Sequence, residues 1–421
     1  MMRELRRMPD SDVPALMAAL RGALDGTGPA VLPYDAASIR SPRESAGEDS
    51  PRVDPAAQPL NGDQALVPDD TALVIETSGS TGAPKRVALS AQALIASAEA
   101  SAGWVSLRAA QESAGGAPIS GKGQWLLCLP AHYVAGTNVL VRSLNAGTDP
   151  AVMPAGHFDA EGFAVAAERM DHLERYASLV PVQLARLIDA AEHSNGIRAA
   201  VQRFDALLIG GQALRPELRE RAAALGIRVV RTYGSSETSG GCVYDGEPIG
   251  ATRARVGAGG VLELSGPTLA TGYLGDPART AAAFITDPDG TRWYRTGDLG
   301  EVTPEGGVVV HGRADNVIIS GGEKVLLDAV ERHVKSLRGL ADAVVVAADD
   351  AEWGQVPVVV TATGGTELAG IRASTAAALG RAAAPARLVV IEAIPHLASG
   401  KPDRVAIGRL VRSRDAALTS D

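Results

Sequence analysis

The chain has 421 residues, a length that fits two or three domains at about 150 residues each, and 46% of them are hydrophobic, enough for buried cores. A formal net charge of −9 with no basic stripe excludes the electrostatic footprint of a nucleic-acid binder. Two cysteines, Cys128 and Cys242, lie far apart with no CxxC spacing, which excludes a disulfide framework and a cysteine zinc site.

The N-terminal stretch has no continuous apolar signal core, and nowhere is there an apolar run of about 18 residues that could cross a bilayer. A soluble, cytoplasmic protein without a transmembrane segment is expected. Residues 1–35 read as a short amphipathic helix and an extended segment. From 37 to 63 the chain is Ser, Pro, Asp, Glu and Arg with few large apolar residues, the composition of a flexible arm. Gln111–Gly123 reads as a second, mobile loop.

Between these two segments, Leu73-Val74-Ile75 forms a buried strand and Ser90 can cap a helix that starts at Ala91. The loop between them carries the hydroxyls of Thr77, Ser78, Ser80 and Thr81, the glycines Gly79 and Gly82, and the cation Lys85. Backbone N–H groups, hydroxyls and a lysine in one loop suit a polyphosphate. The Walker pattern fails, because Pro84 stands at its second glycine and Arg86 at its Ser/Thr. A plain Gly/Ser surface turn explains the loop equally well.

Further along, 124–130, 176–181, 204–211 and 227–234 are strand candidates, and the helix from Arg215 has Pro216 in its first turn and Gly226 as its stop. This alternation predicts an α/β unit with a mostly parallel sheet. After about Gly257 short β runs with glycine turns follow, and from Lys324 a small α+β unit.

Five motifs carry chemistry. YGSSET, 233–238, follows a strand, where Glu237 is either a magnesium-binding carboxylate or the first turn of a helix capped by Ser235. In IGGQAL, 209–214, Gly210 and Gly211 let the backbone approach a flat ring, or simply make a tight turn. YRTGDLG, 294–300, places Asp298 in a turn between β segments. GRADNVIISGGEKV, 312–325, puts Arg313 and Asp315 where the sequence texture changes. SGKPDR, 399–404, holds Lys401 on an exposed turn.

In this order, over roughly 70–410, the motifs resemble the acyl- and aryl-adenylating (AMP-binding) superfamily. The resemblance implies an α/β fold: a large N-terminal domain, 1–313, with mixed and parallel sheets and a β-rich end, and a small mobile α+β domain, 314–421, hinged at Asp315. It implies an ATP-dependent, AMP-forming acid–thiol ligase. Thr77 to Lys85 would grip the β- and γ-phosphates. Gly210, Gly211 and Gln212 with Tyr233-Gly234 would line the nucleotide at its adenine, and Ser236 and Glu237 would hold the α-phosphate and Mg2+. Asp298 and Arg313 would bind ribose, and Lys401 would offset charge during adenylation. Ser236 stands where many members have threonine, and the N-terminal region is shorter than in most.

Two further stretches, 129–147 and 177–189, look like the o-succinylbenzoate–CoA ligase branch, which acts in menaquinone biosynthesis. There His132 would stand at the pocket entrance, catalytic or substrate-binding, with Arg142, Ser178, Val180 and Gln183 in the acyl pocket or its supporting shell. The implied partners are a small carboxylic acid and coenzyme A; a homodimer is left open. Another aryl, fatty or amino acid passed to CoA or a carrier protein, and a nucleotide sensor without catalysis, are the alternatives.

Overall fold

The computed structural model describes residues 1–35, 66–77, 85–112, 119–154, 156–396 and 401–418. The expected arm at 37–63 therefore lies outside the described residues, as do Ser78, Gly79, Ser80, Thr81 and Gly82. Two compact units emerge: Met1–Ala254 with Glu263–Arg295 and Pro304–Val308, and Arg255–Leu262 with Thr296–Thr303 and Val309–Asp421.

The first unit is built on two mixed sheets. One runs Gly272–Tyr273, Lys85–Ser90, Thr71–Thr77, Ala30–Tyr34, Met2–Pro9, Leu66–Pro68, with the three strands Thr71–Thr77, Ala30–Tyr34 and Met2–Pro9 parallel. The other runs Glu247–Pro248, Gly240–Tyr244, Val229–Ser235, Ala206–Ile209, Arg175–Leu179, Gln124–Leu127, Ala151–Val152, and its last five strands are parallel. Period-two alternation assigns the faces. Leu73, Ile75, Val87 and Leu89 of the first sheet share a core with Trp125, Leu127, Ala206 and Leu208 of the second. Helices Val13–Leu24, Ala91–Glu112 and Val134–Ala146 fill the space between. The second sheet's opposite residues, Leu126, Ala177, Leu207 and Ile209, pack under Phe163, Leu184, Leu187 and Phe204. Both faces of these strands are covered, as parallel strands require, and each fully buried Leu or Ile contributes about 1.5–3 kcal/mol.

Three expectations need correction. A strand, Met2–Pro9, precedes the first helix. Its charged sequence gives no apolar run, and pairing with a neighbour on each side overrides that local signal. The segment that follows residues 78–84 is likewise a strand, Lys85–Ser90, antiparallel to Thr71–Thr77, so a strand rather than a helix comes next. Ser90 still caps the helix that follows, its Oγ accepting from the Ala93 N–H at 3.1 Å. Finally, the loop expected at 111–123 starts later, since Gln111 belongs to the helix Ala91–Glu112; 113–118 lie outside the described residues, and at the far end the Glu174 carboxylate accepts from the N–H groups of Ser120 and Gly121 at 2.7 and 3.0 Å.

In the second unit the sheet runs Glu323–Leu326, Val317–Ser320, Gly354–Thr361, Val344–Asp350, with Arg387–Val390 parallel to Gly354–Thr361. Val345 and Val359 face Val330 and Val334 of the helix Leu327–Ser336, while Val344, Val346, Val358 and Val360 face Ile407 and Val411 of the helix Arg404–Leu418. Glu331, 8% exposed, ties these layers. Its carboxylate meets Lys335 Nζ and Arg404 Nη2, each at 2.6 Å, and accepts from the Val345 N–H at 3.1 Å.

Burial alone would raise the Glu331 pKa, but Arg404 and Lys335 more than reverse this, so its folded value is depressed. A depressed carboxylate stabilises above its unfolded pKa of about 4.3 and loses that contribution as pH falls through the folded value. Glu331→Ala, which strands two cations, should cost about 3 kcal/mol at neutral pH. Urea unfolding against pH should show the wild-type advantage intact at pH 7 and closing below about 4.3.

Candidate active site

The parallel strands of the second sheet end side by side, and Val180, Gly210 to Gln212 and Tyr233 to Glu237 lie at those carboxyl ends, where open α/β sheets bind ligands. Val180 follows the strand Arg175–Leu179, and Gly210-Gly211-Gln212 follows Ala206–Ile209. A Cβ on Gly211, whose φ is +81°, would lie 3.5 Å from Val180 Cγ1, so the two turns are neighbours. At Gly210 a Cβ would stand 2.6 Å from Thr232 Oγ1, too close for any other residue. Gly211 and Gln212 are exposed.

Tyr233 and Gly234 belong to the strand Val229–Ser235, whose pairing with Gly240–Tyr244 slips between these two residues. A side chain at Gly234 would collide with the Gly240 carbonyl, so the slip needs glycine. Ser236-Glu237-Thr238 then form a single 3-10 turn rather than the start of a helix. The cap also works in reverse: Thr238 Oγ1 accepts from the Ser235 N–H at 2.9 Å and donates to the Gly240 carbonyl at 2.7 Å. Ser239 closes the turn at φ 53°, a left-handed conformation costly for a serine. Its carbonyl accepts from Asn138 Nδ2 at 2.7 Å and Ser97 Oγ at 2.9 Å, which fixes it.

Glu237 is 7% exposed, and its Oε1 accepts from the Tyr273 hydroxyl at 2.9 Å. Among the described residues no group of three or more His, Cys, Asp and Glu could hold a metal alone. One carboxylate with a second oxygen to offer fits Mg2+, which takes few protein ligands and shares phosphate oxygens. Thr77 and Lys85 stand opposite each other at the mouth of the hairpin that frames the phosphate loop, and Glu76 Oε1 binds Arg86 Nε at 2.7 Å one step further in. Both cysteine thiols are pushed up by burial, Cys242 to about 12, so neither is a nucleophile at neutral pH.

The residues that the resemblance assigns to the acyl side differ in kind. Arg142, expected on a helix flank, is 7% exposed inside the helix Val134–Ala146. Its Nη1 and Nη2 donate to Ser178 Oγ at 3.4 Å and Tyr244 Oη at 3.1 Å, and its guanidinium lies 4.7 Å over the Trp125 ring. Its Nε has no hydrogen-bond partner, and among the described residues no carboxylate pairs with it. A buried cation in that state is complementary to an anion. Gln183 is a staple: its Oε1 accepts from the Val180 N–H at 3.0 Å and its Nε2 donates to the Cys128 carbonyl at 3.1 Å. That places it in the shell behind the edge. His132 Nδ1 meets Asp10 Oδ2 at 2.5 Å, with its ring 4.1 Å from that of Tyr133. Asp10 and Tyr273 are the residues that sequence reasoning missed, since neither sits in a motif with its partner.

The second unit holds the other predicted residues. Asp298 is not in a turn: it lies inside the continuous strand Arg292–Val302, next to Gly297 at φ +74°. Arg313 Nη1 donates to Asp298 Oδ1 at 3.2 Å, while its Nε and Nη2 reach the two oxygens of Asp315 at 3.2 and 3.3 Å. Burial works against the Arg313 charge, but these carboxylates outweigh it and hold the pKa above the ordinary value. Lys401 has the opposite balance. Crowding by protein atoms and then the charge of Arg313 lower its pKa, with Asp298 pulling back, although the residue keeps an exposed surface. Arg313, Asp298 and Lys401 thus share one electrostatic neighbourhood.

Residues 8–312 match the sequence profile of a family described as AMP-binding enzyme, and residues 329–401 match that of the AMP-binding enzyme C-terminal domain. A probable 2-succinylbenzoate–CoA ligase of Mycobacterium tuberculosis (strain CDC 1551 / Oshkosh) is 38% identical over 416 residues, 97% of this chain and 98% of the relative. The 2-succinylbenzoate–CoA ligase of Listeria monocytogenes serotype 4b (strain F2365) is 28% identical over 346 residues, 79% and 68% of the two chains. Among solved structures, the o-succinylbenzoate CoA synthetase of Bacillus subtilis in complex with the acyl-adenylate intermediate is similar. It superposes with a TM-score of 0.66 at 25% identity, covering 82% of this chain and 70% of that one.

Gln183→Leu should lower stability by about 2 kcal/mol, because it leaves the Val180 N–H and the Cys128 carbonyl without their partner. The urea midpoint should fall with an unchanged slope.

Proposed function

We propose that this chain, which belongs to the AMP-binding enzyme family, is an ATP-dependent acid–CoA ligase whose acid is o-succinylbenzoate, the 2-succinylbenzoate of its relatives. One observation carries the choice of acid: likeness to a 2-succinylbenzoate–CoA ligase, at 38% identity, extends over 97% of the chain. Menaquinone biosynthesis and a cytoplasmic setting follow as part of the same proposal.

The reaction has two halves. A carboxylate oxygen of the acid attacks the α-phosphorus of ATP, the bond to pyrophosphate breaks, and a mixed anhydride with AMP forms. The thiol sulfur of CoA then attacks the acyl carbon, its proton leaves, and AMP departs with the bonding pair. Bound Mg2+ supplies charge neutralisation for the phosphates during the first half. In this assignment Gly210 to Gln212 and Tyr233-Gly234 flank the adenine, their open backbone admitting a flat ring. Thr77, the loop residues Ser78 to Gly82, and Lys85 hold the leaving pyrophosphate. Ser236 meets the α-phosphate, and Glu237 offers its carboxylate to the metal.

Asp298 accepts from ribose hydroxyls beside Arg313, and Lys401 offsets the charge that builds at the α-phosphate. The hinge at Asp315, with rotation of the 314–421 domain between the two halves, belongs to the same proposal. Arg142 faces the acid's second carboxylate or orders the groups that do, and His132, oriented by Asp10, stands at the pocket entrance. A homodimer is not needed for any of these roles.

ATP–pyrophosphate exchange across a panel of acids tests the substrate. Exchange with o-succinylbenzoate supports the assignment, whereas exchange with benzoate or a fatty acid alone overturns it. Arg142→Ala should cost about 10-fold more in kcat/KM on o-succinylbenzoate than on a monocarboxylate analogue, because one fully desolvated ionic contact is worth at least that factor. Lys401→Ala should abolish exchange while thioester formation from supplied acyl-adenylate persists. Since the amine must be charged to act and its pKa is lowered, adenylation should decline on the alkaline side at a midpoint below the ordinary lysine value of 10.5. A decline that survives unchanged in Lys401→Arg would assign it to another group.

A further inference from the structure

Tyr273 touches both halves of the proposed phosphate site. It lies on the two-residue strand Gly272–Tyr273, which pairs antiparallel with Lys85–Ser90 so that Tyr273 stands opposite Val87. Lys85 is two residues before Val87 and therefore shares its face of the sheet. The Lys85 ammonium sits 5.7 Å from the centroid of the Tyr273 ring, and the Arg279 guanidinium 5.9 Å from it. At the other end of the same side chain, the hydroxyl donates to Glu237 Oε1 at 2.9 Å.

The ring itself cannot drift. Tyr273 is 7% exposed, its backbone N–H donates to Thr280 Oγ1 at 2.9 Å, and its ring packs at 6.0 Å from that of Phe284. A fixed phenol has two separate effects. Its O–H holds one oxygen of the Glu237 carboxylate, which fixes the direction of the other; such partners of a metal-binding carboxylate govern affinity. Its negative π face attracts the ammonium of Lys85 and keeps it near the phosphate loop.

We propose that Tyr273 is a positioning residue that couples the two halves of the phosphate site, its hydroxyl aiming Glu237 and its ring face aiming Lys85. This rests on Glu237 as the metal-binding carboxylate and Lys85 as a phosphate-binding cation. The two effects separate chemically, because Tyr273→Phe removes only the hydroxyl and Tyr273→Leu removes hydroxyl and ring together.

The test uses Mn2+, visible by electron paramagnetic resonance, with ATP present and the acid omitted, so that binding rather than turnover is read. Tyr273→Phe should raise the Mn2+ midpoint about 10-fold and leave metal-free ATP affinity within about two-fold. Tyr273→Leu should raise the midpoint equally and also weaken metal-free ATP binding about three-fold, as expected for a lost cation–π contact. The double variant Glu237→Gln with Tyr273→Phe should match Glu237→Gln alone, since both act through one carboxylate. A Tyr273→Phe midpoint equal to wild type, with Glu237→Gln shifted, overturns the role of Tyr273 and spares that of Glu237. An unshifted Glu237→Gln overturns both. If Tyr273→Phe does not fold, 3-fluorotyrosine at position 273 keeps ring and hydroxyl. Its fluorine resonance should move on binding Mg2+–ATP in the wild type and not in Glu237→Gln; movement in both would refute the coupling.

Discussion

A carboxylate that is 7% exposed is the constraint on which the nucleotide side of this protein depends. A polar group at that depth costs free energy unless it is hydrogen-bonded. The chain holds it with a phenol on one oxygen and anchors its backbone, whose carbonyl accepts from the Ala270 N–H at 2.8 Å. Everything adjacent serves that position. The slip at Tyr233/Gly234 leaves Cys242 of the partner strand as the extra residue, Gly234 lets that strand close, and Ser239 leaves the turn at a left-handed φ. Left-handed serine is tolerated because two side chains from separate helices, Ser97 and Asn138, bind its carbonyl. Strain at a functional turn is thereby offset by the core beneath it.

That core explains why the edge is stable enough to carry strain. Both faces of the second sheet are covered, so the ends of its parallel strands cannot separate without exposing two apolar layers at once. With few aromatics, density comes from Leu, Val, Ile and Ala, and three of the rings also steer polar groups. Tyr244 links Arg142 to Ser101, Trp125 lies under Arg142, and Tyr273 joins Glu237 to Lys85. The scarce aromatics act as spacers between charges as much as they fill volume.

Much of this was legible in the sequence, and the failures share a cause. Apolar runs such as 204–211 and 227–234 fall on strands because burial on both faces leaves a local signature, and the glycines of the motifs mark sites where a Cβ would collide. Met2–Pro9 and Lys85–Ser90 escaped because their pairing partners, not their own residues, make them strands. Asp298, expected in a turn between β segments, lies inside one continuous strand that accommodates Gly297 at a positive φ. Asp10 and His132 are 122 positions apart, and Tyr273 and Glu237 are 36 apart. No spacing rule reaches contacts of that kind, which only the folded sheets bring together.

The two arginines of the proposed site show how differently one side chain can be used. Arg313 is locked: two carboxylates hold its guanidinium, so its charge is already answered and its value lies in a fixed fork that keeps Asp298 in place. Arg142 is more deeply buried yet, among the described residues, meets neutral hydroxyls and an aromatic face. Neutral partners orient a guanidinium without cancelling it, which leaves a preorganised positive potential in a low-dielectric setting. Such a residue costs stability in the free protein and recovers it when an anion arrives. A dicarboxylic acid supplies that anion in addition to the carboxylate that reacts, whereas a monocarboxylic acid does not. The burial of Arg142 without a carboxylate partner among the described residues is the physical reason for the proposed preference for an acid with a second negative charge.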